Sequence, residues 1–147
     1  MSSIRPARAA DGAQMIAIWR RAVDATHDFL TLADRAALDV EVSATLPQAA
    51  AWLATDPDDR AIGFMIVEGT HMQALFIDPD WHGKGVGRSL IDHALSLHDT
   101  LTTDVNEQNG AAIGFYETML FARTGRSEQD DQGRPYPLIH LRYAPAG

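Results

Sequence analysis

The sequence predicts a mixed α+β fold, with a mostly antiparallel sheet of roughly six or seven strands flanked by about four helices. Three observations predict it. Strand-length apolar segments follow one another between residues 49 and 77 with only short polar turns between them. Met15, Ile18, Trp19 and Ala22 fall on one face at helical spacing. An apolar run, Ala74-Leu75-Phe76-Ile77, passes through a glycine-rich turn into a second helical pattern carrying Val86, Leu90, Ile91, Ala94 and Leu95. A chain of 147 residues has room for one sizeable core, so a single domain over 1–147 is expected.

The elements follow in order. Residues 3–9 hold one large apolar side chain, Ile4, and read as an edge strand. Asp11 followed three residues on by Gln14 has capping-box spacing and opens the first helix. The run Asp24-Ala25-Thr26-His27-Asp28-Phe29-Leu30 breaks its period. A second helix over 33–45 stops before Pro47, because the residue ahead of a proline is pushed out of the α region. Segments 49–55 and 62–68 flank the charged turn Asp56-Pro57-Asp58-Asp59-Arg60 and read as a hairpin, and Gly69-Thr70 leads into a strand over 71–77. A helix over 85–97, a strand over 101–105, a helix over 110–119 and strands over 121–127 and 138–143 complete the chain.

Composition narrows the chemistry. The net charge of -8, with only 12 Lys and Arg, argues against nucleic-acid binding, whose affinity comes from basic side chains, and fits a cationic acceptor. Without cysteine there is no thiolate nucleophile or metal ligand and no disulfide. The six histidines form no HExxH pair, and His93 and His98 do not share a helix face, so no metal is expected. No long apolar region follows the opening Met-Ser-Ser-Ile-Arg, and no run approaches the roughly 20 apolar residues of a membrane span. A cytoplasmic monomer or homodimer with no membrane partner is the expectation.

The turn after the 71–77 strand carries Gly83, Gly85 and Gly87. Alternate glycines let backbone N–H groups point inward, and the emerging helix adds unpaired donors and the positive end of its dipole. Such a turn binds phosphate. A Walker loop needs Gly-Lys-Ser/Thr, but Arg88 and Ser89 follow the last glycine. A dinucleotide fingerprint needs two residues between its second and third glycines, and only Val86 separates Gly85 from Gly87. The pattern His82-x-x-Gly85-x-Gly87 instead resembles the acyl-CoA signature of the GNAT superfamily of N-acyltransferases, with His82 where Gln or Arg is usual. A neutral imidazole there brings less positive charge than Arg. A second motif, Asn109 to Phe121, resembles the family's Asn-x-x-Ala-x-x-Phe-Tyr-x-x-x-Gly-Phe segment. Asn109, Ala112, Phe115, Tyr116 and Phe121 match, and Leu120 replaces the glycine. The resemblance covers nearly all of the chain.

That resemblance implies acetyl-CoA as co-substrate and an amine acceptor that is either a small molecule or a protein. It implies a central parallel strand pair that splays apart around the pantetheine arm. Backbone groups of Leu75, Phe76 and Ile77 would bond that arm. His82, Gly83, Lys84, Gly85, Val86, Gly87 and Arg88 would take the pyrophosphate. Asn106 and Asn109 would bond CoA or order a helix start. His27 and Phe29 would lie on the acceptor side. Tyr116 holds the position of the acid that protonates the departing sulfur, a transfer uphill by about 2 kcal/mol from a phenol to a thiolate of ordinary pKa. His71 stands where several members place a catalytic Glu and shares a strand face with Gln73 and Leu75, which makes it the base, with Glu107 and His27 as competitors. A CoA-binding sensor without turnover is the other class open at this point. Tyr116 favours the enzyme.

Overall fold

The computed structural model describes residues 3–145. Among them the chain forms seven strands and four α-helices, namely β1 Ser3–Pro6, α1 Gly12–Thr26, α2 Leu32–Thr45, β2 Ala51–Thr55, β3 Ala61–Glu68, β4 His71–Ile77, α3 Val86–Leu97, β5 Thr102–Asn106, α4 Gly110–Thr118, β6 Phe121–Ser127 and β7 Leu138–Tyr143. The strands form one sheet in the order β1-β2-β3-β4-β5-β7-β6. The pairs β1–β2, β2–β3, β5–β7 and β6–β7 are antiparallel. β4 and β5 are parallel, with His71 opposite Thr102 and Met72 opposite Thr103. The mixed α+β class, the edge position of β1 and the central parallel pair are as expected. The described residues gather into two compact units, the first comprising residues 3–66 with Ala74–His93, the second Val67–Gln73 with residues 94–145.

In the first unit, Met15, Ile18, Trp19 and Val23 of α1 pack with Leu46, Leu53 of β2 and Phe64 of β3, all of them buried. Burying a large apolar side chain contributes roughly 1.5–3 kcal/mol, so this face holds α1 on the sheet. The ion pairs joining α1 to α2 are weaker supports, since exposed pairs contribute about 0.2–1 kcal/mol each. Arg20 grips both Asp39 carboxylate oxygens at 2.8 and 2.9 Å, and Arg35 reaches Asp24 and Asp39 while its guanidinium lies 4.9 Å above the Trp19 ring.

Two local expectations differ from the structure. The capping box at Asp11 and Gln14 does not form. The buried Asp11 carboxylate accepts from Arg5 at 2.9 and 3.1 Å and from the Arg8 backbone N–H at 2.7 Å, while Gln14 Oε1 accepts from the Ala61 N–H at 2.9 Å. A bidentate, charge-assisted bond outcompetes a local cap. α1 also runs on through Asp24-Ala25-Thr26, with His27 at its C-cap donating its backbone N–H to Val23 O at 2.7 Å.

In the second unit, Ile113 and Tyr116 of α4 are buried, as are Phe121, Ile139, Leu141 and Val105 of the strands. Asn109 caps α4 by accepting from the Ala112 N–H at 3.3 Å. After α4, Leu120 takes φ 70°, the left-handed conformation that a glycine adopts without strain. The chain makes the same turn as a C-terminal glycine would, but with a side chain that is disfavoured there.

Candidate active site

In the first unit, β4 ends at Ile77 and the Asp78 N–H bonds Ile62 O of β3 at 2.9 Å. Arg21 of α1 clamps the following turn, reaching Asp78 at 2.6 Å and Asp80 at 2.9 Å, and the Asp78 side chain also accepts from the Asp80 N–H at 3.0 Å. A short 3-10 turn over Pro79–Trp81 delivers His82 in an extended conformation, exposed at the start of the glycine turn. Gly83 and Gly85 have φ 74° and 82°, where a non-glycine residue is strained. No atom lies within 4 Å of where their Cβ atoms would sit, so the requirement is conformational rather than steric. Val86 is buried and anchors the first turn of α3, while Gly83, Lys84, Gly85 and Arg88 are exposed. The Lys84 ammonium lies 5.4 Å over the Trp81 ring. The first backbone N–H groups of α3 have no acceptor within the helix, and the dipole places its positive end there. The turn is thus built to hold an anion against backbone.

One glycine that sequence reasoning missed fixes this geometry. A Cβ on Gly63 of β3 would stand 3.0 Å from Ile77 Cδ1 and 3.2 Å from both Phe76 O and Val86 Cγ1. Gly63 lets the end of β4 and the start of α3 close over β3. Leu75, Phe76 and Ile77 lie half-buried in that end of β4. A glycine inside an otherwise apolar strand was the available signal.

His27 and Phe29 stack with ring centroids 5.2 Å apart. Thr26 donates to Ala22 O at 2.7 Å, so its hydroxyl oxygen accepts from His27 Nδ1, also at 2.7 Å. Burial holds the His27 pKa below its ordinary value and keeps the ring neutral at pH 7.

In the second unit, Tyr116 is 7% exposed, and its ring meets Phe115 and Phe121 edge-on at 5.4 Å each. Its hydroxyl shares a hydrogen bond with Thr103, whose own hydroxyl donates to Met72 O at 3.0 Å. Burial raises the phenol well above its ordinary value despite that bond, so it stays protonated through any physiological pH. Asn106 ends β5, and its carbonyl accepts the Asn109 N–H at 2.9 Å. Glu107 is tied to Arg126, first by hydrogen bonding, and its pKa is lowered accordingly.

His71 opens β4 with its Nδ1 2.8 Å from Thr102 Oγ1 and its Nε2 3.5 Å from Asp104 Oδ2. The other oxygen of Asp104 lies 2.6 Å from Nδ1 of His140, whose Nε2 is 2.7 Å from Ser127 Oγ. Sequence reasoning found His71 but none of Asp104, His140 and Ser127. Polar residues alternating with apolar ones in Thr102–Asn106 and Leu138–Tyr143 mark an accessible sheet face, but only the strand pairing shows that they meet. Among the described residues no group of three or more His, Asp or Glu side chains is arranged to hold a metal. No helix among them is long and apolar enough to cross a membrane.

A mixed sheet with a parallel central pair, a glycine turn after β4 and a tyrosine on the helix after β5 are the features that the GNAT resemblance implies. Residues 23–137 match the family model of the acetyltransferase (GNAT) domain, and the chain belongs to that family. It is 56% identical to the peptidyl-lysine N-acetyltransferase YjaB of Salmonella typhimurium over 143 residues, which cover 97% of this chain and 99% of that protein. The solution structure of apo-form YjaB from Escherichia coli superposes with a TM-score of 0.96 at 53% identity, covering 99% of both chains. The PaiA N-acetyltransferase of Thermoplasma acidophilum, solved in complex with coenzyme A, has a TM-score of 0.77 at 16% identity over 95% of this chain and 98% of that one, a likeness of fold alone. The chain is therefore an enzyme, an acetyltransferase of the GNAT type.

Proposed function

We propose that this enzyme, acting as one domain over 1–147, transfers the acetyl group of acetyl-CoA to the ε-amino group of a peptide or protein lysine by direct attack in a ternary complex. The end-to-end 56% identity to a peptidyl-lysine N-acetyltransferase carries the reading. The net charge of -8 suits a cationic acceptor.

In this reading the backbone from Gly83 to Arg88 takes the pyrophosphate, with His82 and Lys84 beside it. Main-chain groups of Leu75, Phe76 and Ile77 bond the pantetheine arm, and an N–H there polarises the thioester carbonyl as the tetrahedral oxyanion develops. A lysine amine of ordinary pKa is protonated at pH 7 and must first lose a proton, which His71 accepts directly or through water. His71 is the favoured base because Glu107, equally exposed, is held by two hydrogen bonds from Arg126. His27, neutral and stacked on Phe29, suits an acceptor-side wall. Tyr116 protonates the leaving sulfur. Each unit by which burial raises the phenol adds about 1.36 kcal/mol to that transfer, and a thiolate leaving into similarly water-poor surroundings is made more basic by the same desolvation.

Initial-rate kinetics with acetyl-CoA and a lysine peptide test the order of events. Direct attack predicts intersecting double-reciprocal lines. Parallel lines, the mark of an acetylated enzyme, would contradict it.

A further inference from the structure

Four neighbouring strands contribute to one row of polar groups: His71 on β4, Thr102 and Asp104 on β5, His140 on β7 and Ser127 on β6. Register places them there. His71 is opposite Thr102, Asp104 opposite His140, and His140 opposite Gly125, two residues and hence one same-face step before Ser127. Side-chain exposures of 40% for His71, 24% for Asp104 and 33% for His140 put the row on an accessible face.

The donors and acceptors in this row can be assigned outward from Asp104. An ionised carboxylate only accepts, so the imidazole nitrogen hydrogen-bonded to Asp104 carries a hydrogen. His140 then donates from Nδ1 to Asp104 Oδ1 at 2.6 Å and accepts at Nε2 from the Ser127 hydroxyl at 2.7 Å. His71 Nε2 lies 3.5 Å from Asp104 Oδ2, an ion-pair distance, and its Nδ1 is 2.8 Å from the Thr102 hydroxyl, which donates to it when Nε2 carries the hydrogen. One carboxylate thus serves two hydroxyl–imidazole pairs.

We infer that Asp104 is a positioning residue for the base of this enzyme: it fixes His71 in the Nε2–H form, so that Nδ1 is the proton-accepting nitrogen and the Thr102 hydroxyl is the port through which the proton arrives. The inference rests on His71 being the base, as proposed above. The proton lost by the acceptor ammonium passes through water to Thr102 Oγ1 as the Thr102 proton crosses to His71 Nδ1. Thr102 is left unchanged. The imidazolium that results has one N–H directed at Asp104 and the other at Thr102, so its new charge lies beside a carboxylate. His140, with Ser127 behind it, holds the other Asp104 oxygen and stops that carboxylate from turning away.

Two other polar side chains near His71 are engaged with other partners. Gln73, on the same face of β4, donates to Glu68 of β3. Arg142, opposite Thr102 on β7, has its Nε 3.4 Å from Thr100 Oγ1.

Nitrogen-15 imidazole spectra of the unmodified enzyme test the assignment without any variant. His71 will carry its neutral-form proton on Nε2 and His140 on Nδ1, and a His71 proton found on Nδ1 overturns the inference. In Asp104→Asn the His71 signal will become a mixture of the two forms. On lysine peptides the same variant will lose kcat by on the order of ten- to a thousand-fold while keeping acetyl-CoA affinity. Thr102→Ser will retain kcat and Thr102→Val will lose it. An unchanged tautomer in Asp104→Asn, or equal kcat in the two Thr102 variants, overturns the inference. If the unmodified enzyme acetylates no lysine peptide, the proposed activity falls, but the spectra, which need no turnover, still decide the role of Asp104.

Discussion

Replacing Tyr116 by Phe separates packing from proton transfer. The ring is held by edge contacts to Phe115 and Phe121, both at 5.4 Å, and Phe keeps these. The lost hydroxyl removes one hydrogen bond to Thr103, a net loss of about 0.5–1.5 kcal/mol in general. The low end applies here because Thr103 still donates to Met72 O at 3.0 Å. Catalysis should suffer far more. A general acid contributes about 10²- to 10⁴-fold, equivalent to roughly 2.7–5.4 kcal/mol of barrier, so the chemical step should slow by that factor while stability changes by about 0.5 kcal/mol. Because burial raises the phenol pKa, the unmodified enzyme should show no loss of rate from Tyr116 ionisation up to about pH 10. Rapid-quench single turnovers with saturating acetyl-CoA read the chemical step, and urea melts of the same preparations read stability. A variant that transfers acetyl at the wild-type single-turnover rate would refute the acid role.

Other consequences are as direct. Gly85→Asp puts a side chain at φ 82° and a negative charge on the anion site, and calorimetry should find acetyl-CoA affinity abolished; unchanged affinity removes the cofactor assignment. Leu120→Gly relieves a left-handed residue that is 51% exposed, so thermal denaturation should show a gain of up to about 1 kcal/mol, and any loss would mean that the Leu120 side chain makes packing contacts worth more than the strain. Asp11, whose pKa is lowered to about 2 chiefly by its hydrogen bonds from Arg5, stabilises the fold fully above its unfolded value near 3.8 and loses that contribution as pH falls toward 2. The urea midpoint of Asp11→Asn should therefore lie below wild type at neutral pH and converge with it in that acid window.

The turn with its glycines was legible because local signals agree there: an apolar run over 74–77, a stop at Asp78-Pro79 and a helix pattern from Val86. Local reasoning failed where a distant partner claimed a side chain. Asp11 and Gln14 have cap spacing, yet Arg5 and the Ala61 N–H take them. Leu120 gave no sign of a left-handed turn beyond its place at the motif's glycine position, and the conformation goes with the strand that follows, whose Phe121 pairs with Tyr143 while Ala144 N–H bonds Leu120 O at 2.8 Å. The Asp104 row was hidden for the same reason. Its members lie on four strands whose order in the sheet is not their order in the chain, and strand register alone brings His71, Asp104, His140 and Ser127 together.

The most direct test of lysine acetylation by acetyl-CoA measures two products in one reaction. The enzyme is incubated with acetyl-CoA and a lysine peptide, free CoA thiol is followed by colour, and acetyl-lysine is counted by mass spectrometry in the same samples. The proposed activity predicts one acetyl-lysine for each CoA released, and no release above background when the peptide lysine is already acetylated. CoA release that is equal with and without a free lysine, or no release with any lysine peptide, would contradict it.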